Sequence, residues 1–159
     1  MRKKFVMAVA AVAMAAVMSV SAFAADGVTV PSISGDSASE TFIPQSHADA
    51  SATAIAAYNT LVSTEGGVAD KLTALAGSKA TADAAAAAGV KSANDLSIRA
   101  IGDVLVSGEV SISIEGIGNV AVIMYLDRNG NWVVTTARVV NGSVIFSLSY
   151  PTTIVILSV

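Results

Sequence analysis

His47 is the sole histidine of the chain, and Ser46, His47 and Asp49 gather a nucleophile, a base and a carboxylate within four positions. Catalysis by such a set needs the three groups fixed on a rigid scaffold within hydrogen-bond reach of one another. Neighbours in a stretch rich in Ser, Gly and Asp do not meet that need, and no catalytic role is assigned to them. A cysteine nucleophile, a thiolate metal site and a disulfide scaffold are excluded, because the chain has no cysteine. Asp127-x-Asn129-Gly130-Asn131 carries oxygen donors in the manner of a calcium loop. Such a loop needs more acidic positions and a distal bidentate glutamate, and no acidic residue follows Asp127. The motif reads as a turn.

A carboxylate pair for glycoside hydrolysis would have to come from Asp95, Asp103, Glu109, Glu115 and Asp127. Asp103, Glu109 and Glu115 fall at strand ends or on outer faces, which suits solvation and edge protection better than a shielded acid. Gly116-Ile117-Gly118 and Gly66-Gly67 do not lie between a strand and a long helix, so the phosphate-cradle reading fails on context. An intramolecular lysine–asparagine crosslink lacks its amine within residues 94–159, with Lys91 at the boundary. Trp132, Tyr125 and Tyr150 are the large amphipathic aromatics of the second half. An exposed row of them would suit sugar stacking, whereas packing against neighbours is the commoner use. These three are the candidate binding surface; no catalytic, cofactor or metal residues are assigned.

The elements that would position these groups follow a leader. Arg2, Lys3 and Lys4 precede an apolar run over residues 5–20, interrupted only by Ser19, and Ala22-Phe23-Ala24 supplies small residues at the end. This is the layout of a secretory signal peptide cleaved after Ala24, so the expected localisation is secreted or cell-surface. The rival is an uncleaved anchor, since residues 5–25 are nearly long enough to span a bilayer. Cleavage removes three of nine basic residues and none of twelve acidic ones, leaving six against twelve and a net charge of −6. Such a chain is a poor partner for nucleic acid or an anionic membrane surface.

Three zones follow. Residues 25–49 read as a flexible arm, with apolar positions (among them Phe42 and Ile43) that keep neither helical nor strand period. Residues 50–93 read as helical: Ile55, Tyr58, Leu61 and Val62 share a face behind a Ser51 or Asp49 cap, with Gly66-Gly67 as the stop. A second helix is expected over Val68–Ala76 and a third over residues 81–88, ended by Gly77 and Gly89. Helices so short and small-faced should lie against something larger.

Residues 94–159 exchange alanine for β-branched residues and contain no lysine. Leu96, Ile98 and Ala100 alternate with polar residues, with Val104 and Val106 continuing the same phase past Gly102, and Val110, Ile112 and Ile114 alternate likewise. Residues 120–126 are apolar on both faces and read as a central strand covered on both sides. Asn141-Gly142 between alternating runs is a hairpin signal, because both residues tolerate positive φ. The expectation is an α+β fold. Short alanine-rich helices precede an antiparallel β-sandwich-like or partly closed barrel domain of about six strands.

The run from Val110 to Tyr125, then Asn129-Gly-Asn-Trp132, Asn141-Gly-Ser-Val-Ile-Phe146 and Ser149-Tyr-Pro151 before an apolar end, resembles a β-rich module. Such modules stand at the C-termini of secreted and surface proteins of Gram-positive anaerobes. The resemblance covers residues 94–159 and departs from the usual Ser-Pro at Ser149-Tyr150-Pro151. It implies an exported sandwich-like module with no catalytic residues. Composition and resemblance together lead to a small exported, non-enzymatic protein acting by protein or glycan contact at the cell envelope. Two alternatives stand beside it: a small carboxylate-dependent hydrolase, and a subunit that self-assembles by adding the apolar strand at residues 154–159 to a neighbour's sheet edge.

Overall fold

The computed structural model describes residues 42–45 and 48–159. The expected signal peptide (residues 1–24), most of the stretch expected as an arm, Ser46 and His47 lie outside the described residues. The elements in chain order are β1 (Phe42–Pro44), α1 (Ala52–Ser63), α2 (Val68–Ala76), α3 (Ser78–Ala88) and a single 3-10 turn (Ala93–Asp95). The strands β2 (Ser97–Val104), β3 (Gly108–Ser113), β4 (Ala121–Leu126), β5 (Trp132–Val140), β6 (Ser143–Leu148) and β7 (Thr152–Ser158) follow. This is the α+β arrangement expected, with short helices ahead of a curled, barrel-like antiparallel sheet.

The strand order is β1-β2-β7-β4-β5-β6-β3, and every ladder is antiparallel. Strand chemistry explains the order. β7 is apolar at consecutive positions because it is buried on both faces. Ile154 and Ile156 enter the core inside the curled sheet, whereas Val155 and Leu157 enter the core beneath the helices. β4 divides in the same way, with Ala121 and Ile123 inward and Val122 and Met124 toward the helices. β3 and β6 bury one face only, so Val110, Ile112, Val144 and Phe146 alternate with outward residues that are polar except for Ile145. In β2 the alternation slips once: Arg99 is an extra residue between Ile98 and Ala100, whose partners Leu157 and Ile156 are consecutive. Its guanidinium turns to the carbonyls of Glu115 (3.0 Å) and Gly116 (2.7 Å).

Four expectations change. Within the stretch expected as an arm, Phe42–Pro44 instead pairs with residues 102–104 and makes a seventh strand. Three residues carry too little pattern to show in a sequence. The pairing depends on Gly102, where a Cβ would run into the Ile43 carbonyl and the Phe42 ring. The first β-segment stops at Val104, leaving Leu105 and Val106 exposed. The apolar strand at the chain end is no free edge: β7 sits between β2 and β4, so its backbone is unavailable to a neighbour's sheet. Finally, Asp103 is buried rather than solvated.

That last difference explains how the helical layer is held. The Asp103 carboxylate accepts the Ser51 amide (2.6 Å), the Ser51 hydroxyl (2.8 Å) and the Thr153 hydroxyl (2.7 Å). Ser51 is the N-cap of α1, its Oγ also accepting the Ala54 amide at 3.2 Å. A carboxylate at a helix N-terminus meets the positive end of the dipole, so one acid fastens α1 to β2 and β7. At the other end of α1, the buried Lys71 donates to the carbonyls of Leu61 (3.0 Å) and Thr64 (2.9 Å). A cation there meets the carbonyls that the helix leaves without partners.

Candidate functional site

The turn that starts β5 sets the site. Asp127 Oδ1 accepts the amides of Asn129 and Asn131, both at 2.8 Å, and Gly130 takes φ +80°. The Asn131 amide above all holds the Asp127 carboxyl below its ordinary 3.8; desolvation opposes it, and the Asn129 amide adds to the lowering. The carboxylate of the calcium-like motif therefore faces its own turn. Among the described residues no group of three or more His, Cys, Asp or Glu side chains could hold a metal ion.

Trp132 opens β5 immediately after this turn. Its cross-strand partner is Leu126, and its indole, half-buried, packs with Val134 against the core beneath the helices. Because side chains alternate along a strand, Val133, Thr135 and Ala137 point to the opposite face. Tyr125, paired with Val133, lies on that inner face. Tyr150 stands in the loop before β7. Its hydroxyl donates to the Leu126 carbonyl at 3.4 Å and Arg128 lies 4.9 Å from its ring centroid. The three aromatics are therefore gathered at one end of β4 but not in one row. Trp132 faces the helices, Tyr125 the sheet interior, and the Tyr150 ring is covered by a cation.

Two recesses flank β5 in succession. One, of about 250 Å³, lies between Trp132, Val133 and Val134 and the helix residues Ala76, Lys79, Ala80 and Asp83. Lys79 and Asp83 are an exposed i,i+4 pair at 2.6 Å. The other, of about 300 Å³, lies between residues 135–138 and Ile145, Phe146 and Ser147 of β6, with Glu109 at its side. Arg138 pairs with Glu109 at 3.4 Å across an exposed surface. The second recess has a backbone cause: β5 pairs with β4 over residues 132–137, but with β6 only at Arg138, Val139 and Val140. Past Arg138 the two arms of the Asn141-Gly142 hairpin diverge, and β6 continues with β3 alone.

The remaining candidates have local work. Asp95 accepts the Ser92 amide at 3.3 Å, Glu109 pairs with Arg138, and Asp103 anchors α1. Glu115 and Lys91 are exposed, and Asp49 lies in an exposed turn. Gly116 takes φ +68° in the β3–β4 connection, so it serves a turn. The residues missed by sequence reasoning are the edge positions Thr135 and Thr136, whose free side depends on where β6 goes. No helix among the described residues is long and apolar enough to cross a membrane. Comparison with protein-family models, with curated proteins and with solved structures gives no match.

Proposed function

We propose that the protein is an exported, non-enzymatic contact module of the cell envelope, with the β5 wall and its two flanking recesses as the binding face. One observation carries this reading. Along residues 132–138 every position borders a recess, and the sole tryptophan stands at one end with its indole half-buried. A surface of that kind combines an amphipathic aromatic with concave walls of mixed polar and apolar groups, which suits recognition. The export half of the proposal is supported by the basic, apolar and small-residue order of residues 1–24 and by the resemblance of residues 94–159 to modules of exported proteins. Against hydrolysis stands the engagement of Asp103 with three donors and of Asp127 with its own turn.

The test is cosedimentation with purified Gram-positive cell walls carrying their surface proteins. The chain without residues 1–24 is expected to pellet with the walls, and both Trp132→Ala and Thr136→Lys are expected to lose at least five-fold of the bound fraction. Equal retention of both variants, or no binding by the parent chain, overturns the reading.

A further inference from the structure

Sheet edges that natural proteins leave exposed are guarded by charge, proline, bulges or shortness, because a bare edge recruits another strand. The edges among the described residues differ in this respect. β1 is three residues long and ends at Pro44, and β3 begins Gly108-Glu109 and alternates with serine. The free side of β5 has none of these devices over Trp-Val-Val-Thr-Thr-Ala, residues 132–137, five strong strand formers and an alanine without charge, proline or glycine. On its other side the same stretch is fully paired with β4, so its backbone is already held straight and in register.

We infer that the free side of β5 binds an extended segment of a partner polypeptide as an added strand. The inference rests on the binding face proposed above and names its occupant. Backbone donors and acceptors recur along an edge with the two-residue period of a strand, and the group that matches them is another extended peptide. The length is set by the recesses, which follow one another along residues 132–138; seven residues of strand span roughly 24 Å. The strand itself is uncharged from Trp132 to Ala137, with the Lys79–Asp83 pair across the first recess and the Arg138–Glu109 pair at the closed end, where β6 rejoins β5. The segment that fits alternates small apolar and hydroxyl residues. Its apolar side chains face inward past Ala137 and Phe146, and its outward ones pass the Trp132 indole and Thr136. A lone segment is favoured over the rim of a second folded copy because the edge is recessed. α3 stands over one end of it and β6 beside the other.

The probe is the capped heptapeptide Ser-Val-Thr-Val-Ser-Val-Thr, added to the full chain and followed by amide hydrogen exchange. Saturable binding is expected to slow alternate amides within residues 132–138 at least ten-fold. A peptide with proline at its centre lacks a donor and is expected to bind at least ten-fold more weakly. Thr136→Lys, at an exposed position, is expected to weaken the parent peptide to the same degree with an unchanged circular dichroism spectrum. Equal binding of the two peptides, or an indifferent Thr136→Lys, overturns the inference. So does protection of β5 in a concentration-dependent dimer without peptide, which would make a second copy the occupant. If muropeptide fragments quench Trp132 while the heptapeptide leaves β5 exchange unchanged, the strand inference falls and the binding face stands. Silence toward both probes together with failed cosedimentation removes the two together.

Discussion

The curled sheet has two cores, one on each side of the same strands, and they are built on different terms. Inside, Ile112, Ile114, Ile123, Ile154, Ile156, Phe42 and Phe146 meet across strands, each large and branched or aromatic. On the helix side, Val122, Met124, Val155 and Leu157 meet a layer made largely of Ala57, Ala80, Ala84 and Ala85. Alanine favours the helix but removes little apolar surface from water. The outer layer therefore depends on its few large residues, Tyr58, Leu61 and Leu72, and on polar anchors at both ends of α1. Apolar packing sets the position of the strands, whereas buried hydrogen bonds set much of the position of the helices.

Phe42→Ala should give the largest effect, since the ring is wholly buried inside the sheet and leaves a cavity. A loss of about 3–5 kcal/mol in urea unfolding is expected, with the strand and helix signals falling together. Asp103→Ala comes next: it leaves the Ser51 and Thr153 donors without their acceptor, and about 2–3 kcal/mol is expected. Here the comparison can be broken. Amide exchange should accelerate in α1 well before β4 and β7, and equal acceleration in both layers would show that the outer layer is not separately anchored. Lys71→Met keeps the apolar stem and removes two hydrogen bonds to the end of α1, costing about 1–2 kcal/mol by the same urea measurement. The smallest effect is electrostatic. Asp127 is held below its ordinary 3.8, so its contribution is present above that value and is lost as pH falls through the lower folded value. NMR of the Asn129 and Asn131 amides should show the turn loosening only below pH 3.8. Asp127→Asn should abolish that acid transition while leaving the two cores unaffected.

Local features were legible in the chain. Asn141-Gly142 marked a hairpin, and the structure places both residues at positive φ, 51° and 78°. Val68–Ala76 is the second helix, bounded as its glycines require, and the third begins three residues earlier than residue 81, directly at Gly77. Ser51 caps α1 as its position implied. Asp103 and Lys71 were not legible as anchors, because their partners lie 52 and 10 positions away respectively and pairing at that distance has no local spacing. β7 shows how a correct local reading can miss its placement. An apolar run on both faces means burial on both sides, and the same run at a chain end also suits a free edge. Among the candidate aromatics, residue type pointed to a surface, but the alternation of β4 and β5 put Trp132 and Tyr125 on opposite faces.

The amino-acid sequence by itself determined which of the longer segments are helices and which are strands, the three-residue β1 excepted. Those choices are made by residues within a few positions of each other, through periodicity, caps and turns. The tertiary structure alone decided that β7 is central and that Asp103 fastens the helices to the sheet. It also decided that β6 parts from β5 to leave residues 132–137 unpaired on one side. These depend on contacts between distant positions. They follow from how two cores close around one sheet, which no short stretch of chain contains.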